Sequence, residues 1–231
     1  MNALVVAIDG PSGSGKSSVS KGVARALRLA YLDTGAMYRA ATWWCLDQGV
    51  PLDDQPAVAD AVRAMPLVMG VDPSAPTVAV GGTDVGAAIR ETSISAAVSA
   101  VATNLAVRDE LRRLQRAAIE AEQAPGSFSE GRGIVAEGRD ITTVVAPDAD
   151  VRVLLTASEE ARLARRALDV HGSADAASVE ATRDQVLRRD ADDSTVVQFH
   201  TAADGVVTVD SSQLDLPQTI DAVLSVVRAH G

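Results

Sequence analysis

The sequence predicts an α/β fold: a parallel sheet covered by helices on both faces, in three layers. Three observations carry this. Short apolar runs rich in valine and isoleucine alternate with helical patterns along the chain. The first run is followed at once by a glycine-rich octet and then by an apolar-periodic segment. Hydrophobic residues make up 47% of the 231 positions and charged residues 23%, the balance of a packed globular chain.

Leu4 to Asp9 is a continuous apolar run ending in a carboxylate, as expected of a strand buried on both faces. Gly10-Pro11-Ser12-Gly13-Ser14-Gly15-Lys16-Ser17 follows and matches G-x-x-x-x-G-K-[ST], the P-loop. Glycines let successive N–H groups turn inward, and the following helix adds its positive end. Lys16 supplies a compact charge to terminal phosphates, and Ser17 a hydroxyl for Mg²⁺. With Ser18, these residues form the expected ATP-binding loop. The helix should bury Val19, Val23, Ala26 and Leu27 on one stripe.

A second helix is expected after Leu32-Asp33, with Thr34 as N-cap, Gly35 for close backbone approach and Arg39 in its first turns. Trp43 and Trp44 lie in this helix and read as packing residues. Asp47 to Pro56 reads as a loop. Thr77–Val80 is strand-like, and Gly81-Gly82 within Val71–Gly86 has the form of a hairpin in a small lobe. Ala124 to Gly133 reads as a flexible connection. Gly133–Ala136 is the next strand. It delivers Gly138-Arg139-Asp140 just past its C-terminal end, where open parallel sheets bind ligands. There Arg139 offers a fork for a phosphate, and Asp140 an acceptor for an exocyclic amine. Val151–Leu155 and Val206–Val209 complete the strands. Between them, Arg162, Arg165 and Arg166 lie on one helical segment and Arg188-Arg189-Asp190 on another, flanking a stretch with Gly172. Such a pair suits a lid closing over a triphosphate.

Composition narrows the function classes. The net charge of −10 disfavours nucleic acid as a partner. No run of 18 apolar residues exists for a membrane span, and Met1 to Asp9 lacks the basic start of a signal peptide. One cysteine, Cys45, fits a reducing cytoplasm, and without a coiled-coil seam a monomer is expected. No Cys/His cluster suggests zinc. His171, His200 and His230 stand apart from every motif.

Taken together, these segments resemble the bacterial cytidylate kinase family of nucleoside monophosphate kinases. The resemblance runs in order through Asp9–Ser17, Leu32-Asp33-Thr34-Gly35-Ala36-Met37-Tyr38-Arg39, Gly82–Val85 with Ile89-Arg90, Glu137–Ala149, Arg188–Ser194 and Ala202–Ser211. It implies a three-layer P-loop NTPase fold in one domain. The core would be 1–33, 101–157 and 204–231, the monophosphate-binding region with a small β-rich insert about 34–100, and the lid about 158–203. It implies transfer of the ATP γ-phosphoryl group to CMP or dCMP with Mg²⁺. By motif position, Arg39 and Arg139 would clamp the acceptor phosphate. Thr34, Arg108 and Asp140 would read cytosine. Ser99, Arg189 and Asp193 would touch the sugar, and Arg162, Arg165 and Arg166 would face the triphosphate. The chain departs from the family where an arginine usually follows Asp-Ser: that position is Val196. The departure bears on cytosine-over-uracil selectivity and leaves a broader UMP/CMP kinase as an alternative. A regulatory module that binds ATP without transfer is the alternative of another class; clustered acceptor-side arginines argue against it.

Overall fold

The computed structural model describes residues 3–230. Five strands form the main sheet: β1 (Leu4–Asp9), β2 (Ala30–Asp33), β6 (Gly133–Gly138), β7 (Val151–Thr156) and β8 (Val207–Asp210). Their order is β2-β6-β1-β7-β8, and every pairing is parallel. Two-residue periodicity divides the side chains between the faces. Val6, Ile8, Tyr31, Val135, Val153 and Leu155 point to one face. There α1 (Lys16–Leu27) and α8 (Leu216–His230) cover them with Val19, Val23, Val223 and Val227. Val5, Ala7, Leu32, Ile134 and Ala136 point to the other, under α2 (Thr34–Asp47), α4 (Thr92–Ala102) and α5 (Leu105–Ala121). These are the three layers read from the sequence.

The loop expected over Asp47–Pro56 is shorter, 48–54: α3 (Gln55–Arg63) takes in Pro56 in its first turn and is capped by Asp54, which accepts from the Ala57 N–H. A separate antiparallel sheet joins β3 (Leu67–Met69), β4 (Val78–Val80) and β5 (Thr83–Asp84). Gly81 and Gly82, at φ +58° and +82°, make the expected hairpin turn, in which both central residues need positive φ. α6 (Glu159–His171) and α7 (Ala176–Ser194) form a helical hairpin that turns at Gly172.

Three further local expectations are corrected. Asp33, not Thr34, caps α2: its Oδ1 accepts from the Ala36 N–H at 2.8 Å, and Thr34 is already helical. The Thr34 hydroxyl instead donates to the Glu137 carbonyl at 2.7 Å, tying α2 to the end of β6. On α1, Ala26 faces solvent, and Ser20, Gly22 and Ala24 join Val19 and Val23 in the buried stripe. Gly22 sets this rotation, since a Cβ there would collide with Ile220 of α8. The tryptophans pack against the core as expected, half-buried, with Trp44 Nε1 donating to the Ala61 carbonyl. Ala124 to Gly133 is a tied loop, not a flexible one. Ser129 is fully buried, its N–H donating to Glu122 Oε2 and its hydroxyl accepting from the Gly133 N–H.

Candidate active site

The C-terminal ends of β1, β2 and β6 open into one cleft. It is lined by Ser12, Gly13 and Gly15–Ser18 from the loop after β1, by Asp33–Gly35, Tyr38 and Arg39 from α2, and by Glu137–Asp140 after β6. Arg108 of α5 and Arg166, Arg189 and Asp193 of the α6–α7 hairpin close it. Asp9 builds its floor. From the last position of β1, its carboxylate accepts from the Ile141 N–H at 2.9 Å and the Thr142 N–H at 2.8 Å. This anchors the π-helical turn 141–145 directly after Arg139 and Asp140.

Positive charge is concentrated here. Burial pushes Lys16 down to about 8, and the nearby Arg139 adds to the effect. Burial and the Arg139 and Arg39 charges take Arg189 down to about 10. Burial also lowers Arg166. Cations that depress one another in this way mark a site made for an anion. Five lining side chains keep a buried polar atom without a partner: Tyr38 Oη, Arg39 Nε, Arg108 Nε, Glu137 Oε2 and Arg189 Nε. Buried orphans are rare in native proteins, and this concentration points to a polar ligand.

Arg139 is at the centre of the ion-pair network. Its Nη1 donates to the Gly10 carbonyl at 2.8 Å and its Nη2 to Ser12 Oγ at 2.8 Å. Asp190 and Asp193 pair with it at 2.9 Å and 2.8 Å, and its guanidinium lies 4.4 Å from the centre of the Phe199 ring. At the cleft's other end, Arg108 Nη2 meets Asp140 Oδ2 at 2.7 Å, with the guanidinium over Tyr38. Arg39 pairs with Asp33 at 3.3 Å. Glu137 accepts from the Tyr31 hydroxyl at 2.5 Å; burial, reinforced by the Asp33 charge, raises its carboxyl above the usual range.

The structure therefore brings Lys16, Ser17, Ser18, Thr34, Arg39, Arg108, Arg139, Asp140, Arg166, Arg189 and Asp193 to one cavity. Six expected residues are not among those that line it: Gly10, Pro11 and Ser14 of the loop, Ser99, Arg162 and Arg165. Ser99 is not among the lining residues; on α4 that place is taken by Val98 and Ala102, one helical turn apart. Arg162 and Arg165 turn to the backbone of the phosphate loop: Arg162 Nη1 donates to the Ser12 carbonyl at 2.9 Å, and Arg165 Nη1 to the Ser14 carbonyl at 3.2 Å. Asp190 also holds the Arg162 guanidinium, and Ser211 that of Arg165 through its hydroxyl and carbonyl. His171, His200 and His230 are exposed and outside the cleft.

A model of the cytidylate kinase family matches residues 6–229. The cytidylate kinase of Streptomyces avermitilis is 48% identical over 227 residues, covering 97% of this chain and 93% of that one. That of Cutibacterium acnes is also 48% identical over 227 residues, covering 97% and 96%. That of Mycobacterium avium is 47% identical over 228 residues, covering 97% and 95%.

This chain belongs to the cytidylate kinase family. Within a cytidylate kinase framework, several residues acquire a place that sequence reading did not give them. Asp33 and Glu137 were legible only as parts of motifs, and their shared cavity comes from β2 and β6 lying side by side. Asp190 was legible only as part of the Arg188–Ser194 segment and Phe199 gave no local signal, because their contacts with Arg139 span sequence gaps that only the fold closes. Arg112, four residues after Arg108, also reaches Asp140. Its one available sign was the i,i+4 spacing on α5.

Proposed function

We propose that this cytidylate kinase family member transfers the γ-phosphoryl group of ATP to CMP and dCMP, giving ADP and CDP or dCDP. The observation that carries the reading is the pairing of two unlike ends in one cleft. Lys16, Arg39, Arg139, Arg166 and Arg189 bring five cations to one cavity, suited to phosphate, and Thr34, Arg108 and Asp140 line the same cavity with hydrogen-bonding groups suited to a base.

Phosphoryl transfer depends on positioning and charge neutralisation. The loop N–H groups and Lys16 hold the donor's phosphates. Arg39 and Arg139 clamp the acceptor phosphate. At pH 7 that phosphate is largely a dianion, its second pKa being about 6, so no general base is needed. Arg166 meets charge spreading onto the transferred group. Arg162 and Arg165 support the loop from behind and exchange carbonyls for phosphate oxygens as the lid shuts. Asp140 accepts from the cytosine amino group, Thr34 and Arg108 complete the base recess, and Asp193 and Arg189 reach the sugar.

The residues present suit magnesium. Ser17 lines the cleft, Glu137 Oε2 is buried without a partner, and no group of three or more His, Cys, Asp or Glu stands together among the described residues. That set fits an ion that keeps water and phosphate oxygens as its main ligands. Ser17 would hold it, and it would neutralise phosphate charge when bound.

In the proposed division, about 34–100 binds the acceptor, about 158–203 is the lid, and 1–33, 101–157 and 204–231 are the core. We place the enzyme in the cytoplasm as a monomer. Cys45 is buried and unpaired, as suits a reducing compartment, and among the described residues no helix is long and apolar enough to cross a membrane.

The test is ADP formation from ATP and Mg²⁺ against CMP, dCMP, UMP, AMP and GMP. Strong turnover with CMP and dCMP and weak turnover with UMP is expected. Comparable UMP turnover would make the enzyme a broader pyrimidine kinase. ATP binding without transfer to any acceptor would overturn the kinase reading.

A further inference from the structure

We propose that Arg112 is a specificity-determining positioning residue: from α5 it fixes the Asp140 carboxylate so that one oxygen is held for the base. This rests on the reading of Asp140 as the group facing the acceptor's base. All the hydrogen bonds to the Asp140 side chain fall on Oδ2. Arg108 Nη2 donates at 2.7 Å, Arg112 Nη2 at 2.9 Å and Arg112 Nε at 3.2 Å. Oδ1 receives none of them, and Asp140 lines the cleft. One oxygen is thus saturated by protein and the other is left for ligand. An ionised carboxylate oxygen only accepts. Held in place, it pairs with the amino group of a 4-aminopyrimidine and opposes the carbonyl of a 4-oxopyrimidine.

Arg108 alone does not hold this orientation. It reaches Asp140 through a single nitrogen, and its Nη1 is committed to the Ala102 carbonyl at 3.0 Å. A single donor restrains the carboxylate's turn about its Cβ–Cγ bond only weakly. Arg112 adds two more donors to the same Oδ2, Nη2 at 2.9 Å and Nε at 3.2 Å, from one edge of a planar guanidinium that lysine lacks. The Arg112 side chain is 18% exposed and Asp140 6%, so water competes weakly for the contact.

The opposite flank of Asp140 offers no alternative. A second opening there, of about 420 Å³, is lined by Thr143, Val144 and the end of the lid segment from Ser194 to Gln198. Asp140 is the sole charged residue on its wall, and Val196 lies on that wall. The lid side therefore supplies no cation to this carboxylate, and α5 supplies two. Among the described residues, the two guanidinium groups on Asp140 both come from α5, and position 196 carries valine.

The experiment is steady-state kinetics with CMP and with UMP at saturating ATP, on the full chain. Arg112→Met is expected to lower kcat/KM for CMP about tenfold, mainly through KM, the loss of one charge-assisted contact. UMP turnover should change little, so the CMP:UMP preference should fall about tenfold while KM for ATP holds. Arg112→Lys should restore only part of the preference. Adding Val196→Arg to Arg112→Met should restore more, by returning a guanidinium from the other flank. Equal losses for CMP and UMP, or an unchanged preference in folded Arg112→Met, would overturn the proposal. Should Arg112→Met fail to fold, the lysine variant decides: a wild-type preference there is equally fatal. Asp140→Asn separates the two levels. If it collapses the preference while Arg112→Met does not, the inference about Arg112 fails and the base-reading role of Asp140 stands. If Asp140→Asn leaves the preference intact, both fail.

Discussion

Asp190 is seated on the phosphate loop: its Oδ1 accepts from the Ser12 backbone N–H at 3.0 Å. The same carboxylate binds Arg139 at 2.9 Å and Arg162 at 2.5 Å. α7 thus presents an anion to a loop whose amides are arranged for anions. Burial works against the charge. The Arg139 charge, the Ser12 N–H and Arg162 outweigh it and hold Asp190 below the usual carboxylate range.

Asp190→Asn is therefore expected to destabilise the chain by about 1–3 kcal/mol at pH 7, since a charged partner is removed from two largely buried guanidinium groups. A carboxyl depressed in the folded state stabilises fully above its unfolded value, near 3.8, and loses that contribution as pH falls through the folded value. The gap in Tm between wild type and variant should be complete at pH 7 and narrow below about pH 4. Saturating ATP should also narrow it, because phosphate oxygens replace the carboxylate on the loop. A gap that holds steady from pH 7 to pH 3 would count against this account.

Lys16 gives the opposite sign. Its folded value of about 8 lies below the ordinary 10.5, so its charge costs stability below about pH 8, and the cost is relieved between about 8 and 10.5. Without nucleotide, Lys16→Met should be more stable than wild type at pH 7, with the difference vanishing toward pH 10.5. ATP binding needs the charged form, so ATP affinity should weaken as pH rises above about 8. The variant should lose about 10²–10³ in kcat/KM, as removal of a preorganised charge-stabilising donor does. Thermal melts across pH, titration calorimetry and kinetics read the three effects. A folded, fully active Lys16→Met would remove Lys16 from the mechanism.

Gly13 is constrained twice. It sits at φ +75°, and a Cβ there would collide with the Arg162 backbone carbonyl. Gly172 has nearly the same φ, +72°, with open space around it. Gly172→Ala should cost about 1 kcal/mol of backbone strain. Gly13→Ala should cost more and also weaken ATP binding, because relieving the collision displaces α6 from the loop. Equal Tm losses and equal ATP affinities for the two variants would show that contact with α6 is immaterial.

Much of this site was readable before any coordinates. The phosphate loop is contiguous, so Gly10 to Ser18 carry their own geometry: glycines for the turn, then a helix start. Arg39, Arg139 and Asp140 were readable because each lies within a few residues of a strand's C-terminal end. Arg162 and Arg165 were placed on the right helix, but their direction was not legible. Helical spacing gives the face of α6, and the carbonyls of a loop 150 residues away fix what that face meets. Ser99 stands one position off the face that α4 turns to the cleft, a rotation likewise set by packing.

By itself, the sequence determined the parallel α/β fold, the order of its strands along the chain, the hairpin at Gly81-Gly82 and the family. These follow from local periodicity, turn chemistry and contiguous motifs, each set by residues close in the chain. Tertiary structure alone decided the partners of the charges: Arg139 with Asp190 and Asp193, Asp140 with Arg108 and Arg112, Glu137 with Tyr31. Each pair joins segments at least 28 residues apart, and its energy depends on distance and burial, which no local pattern records.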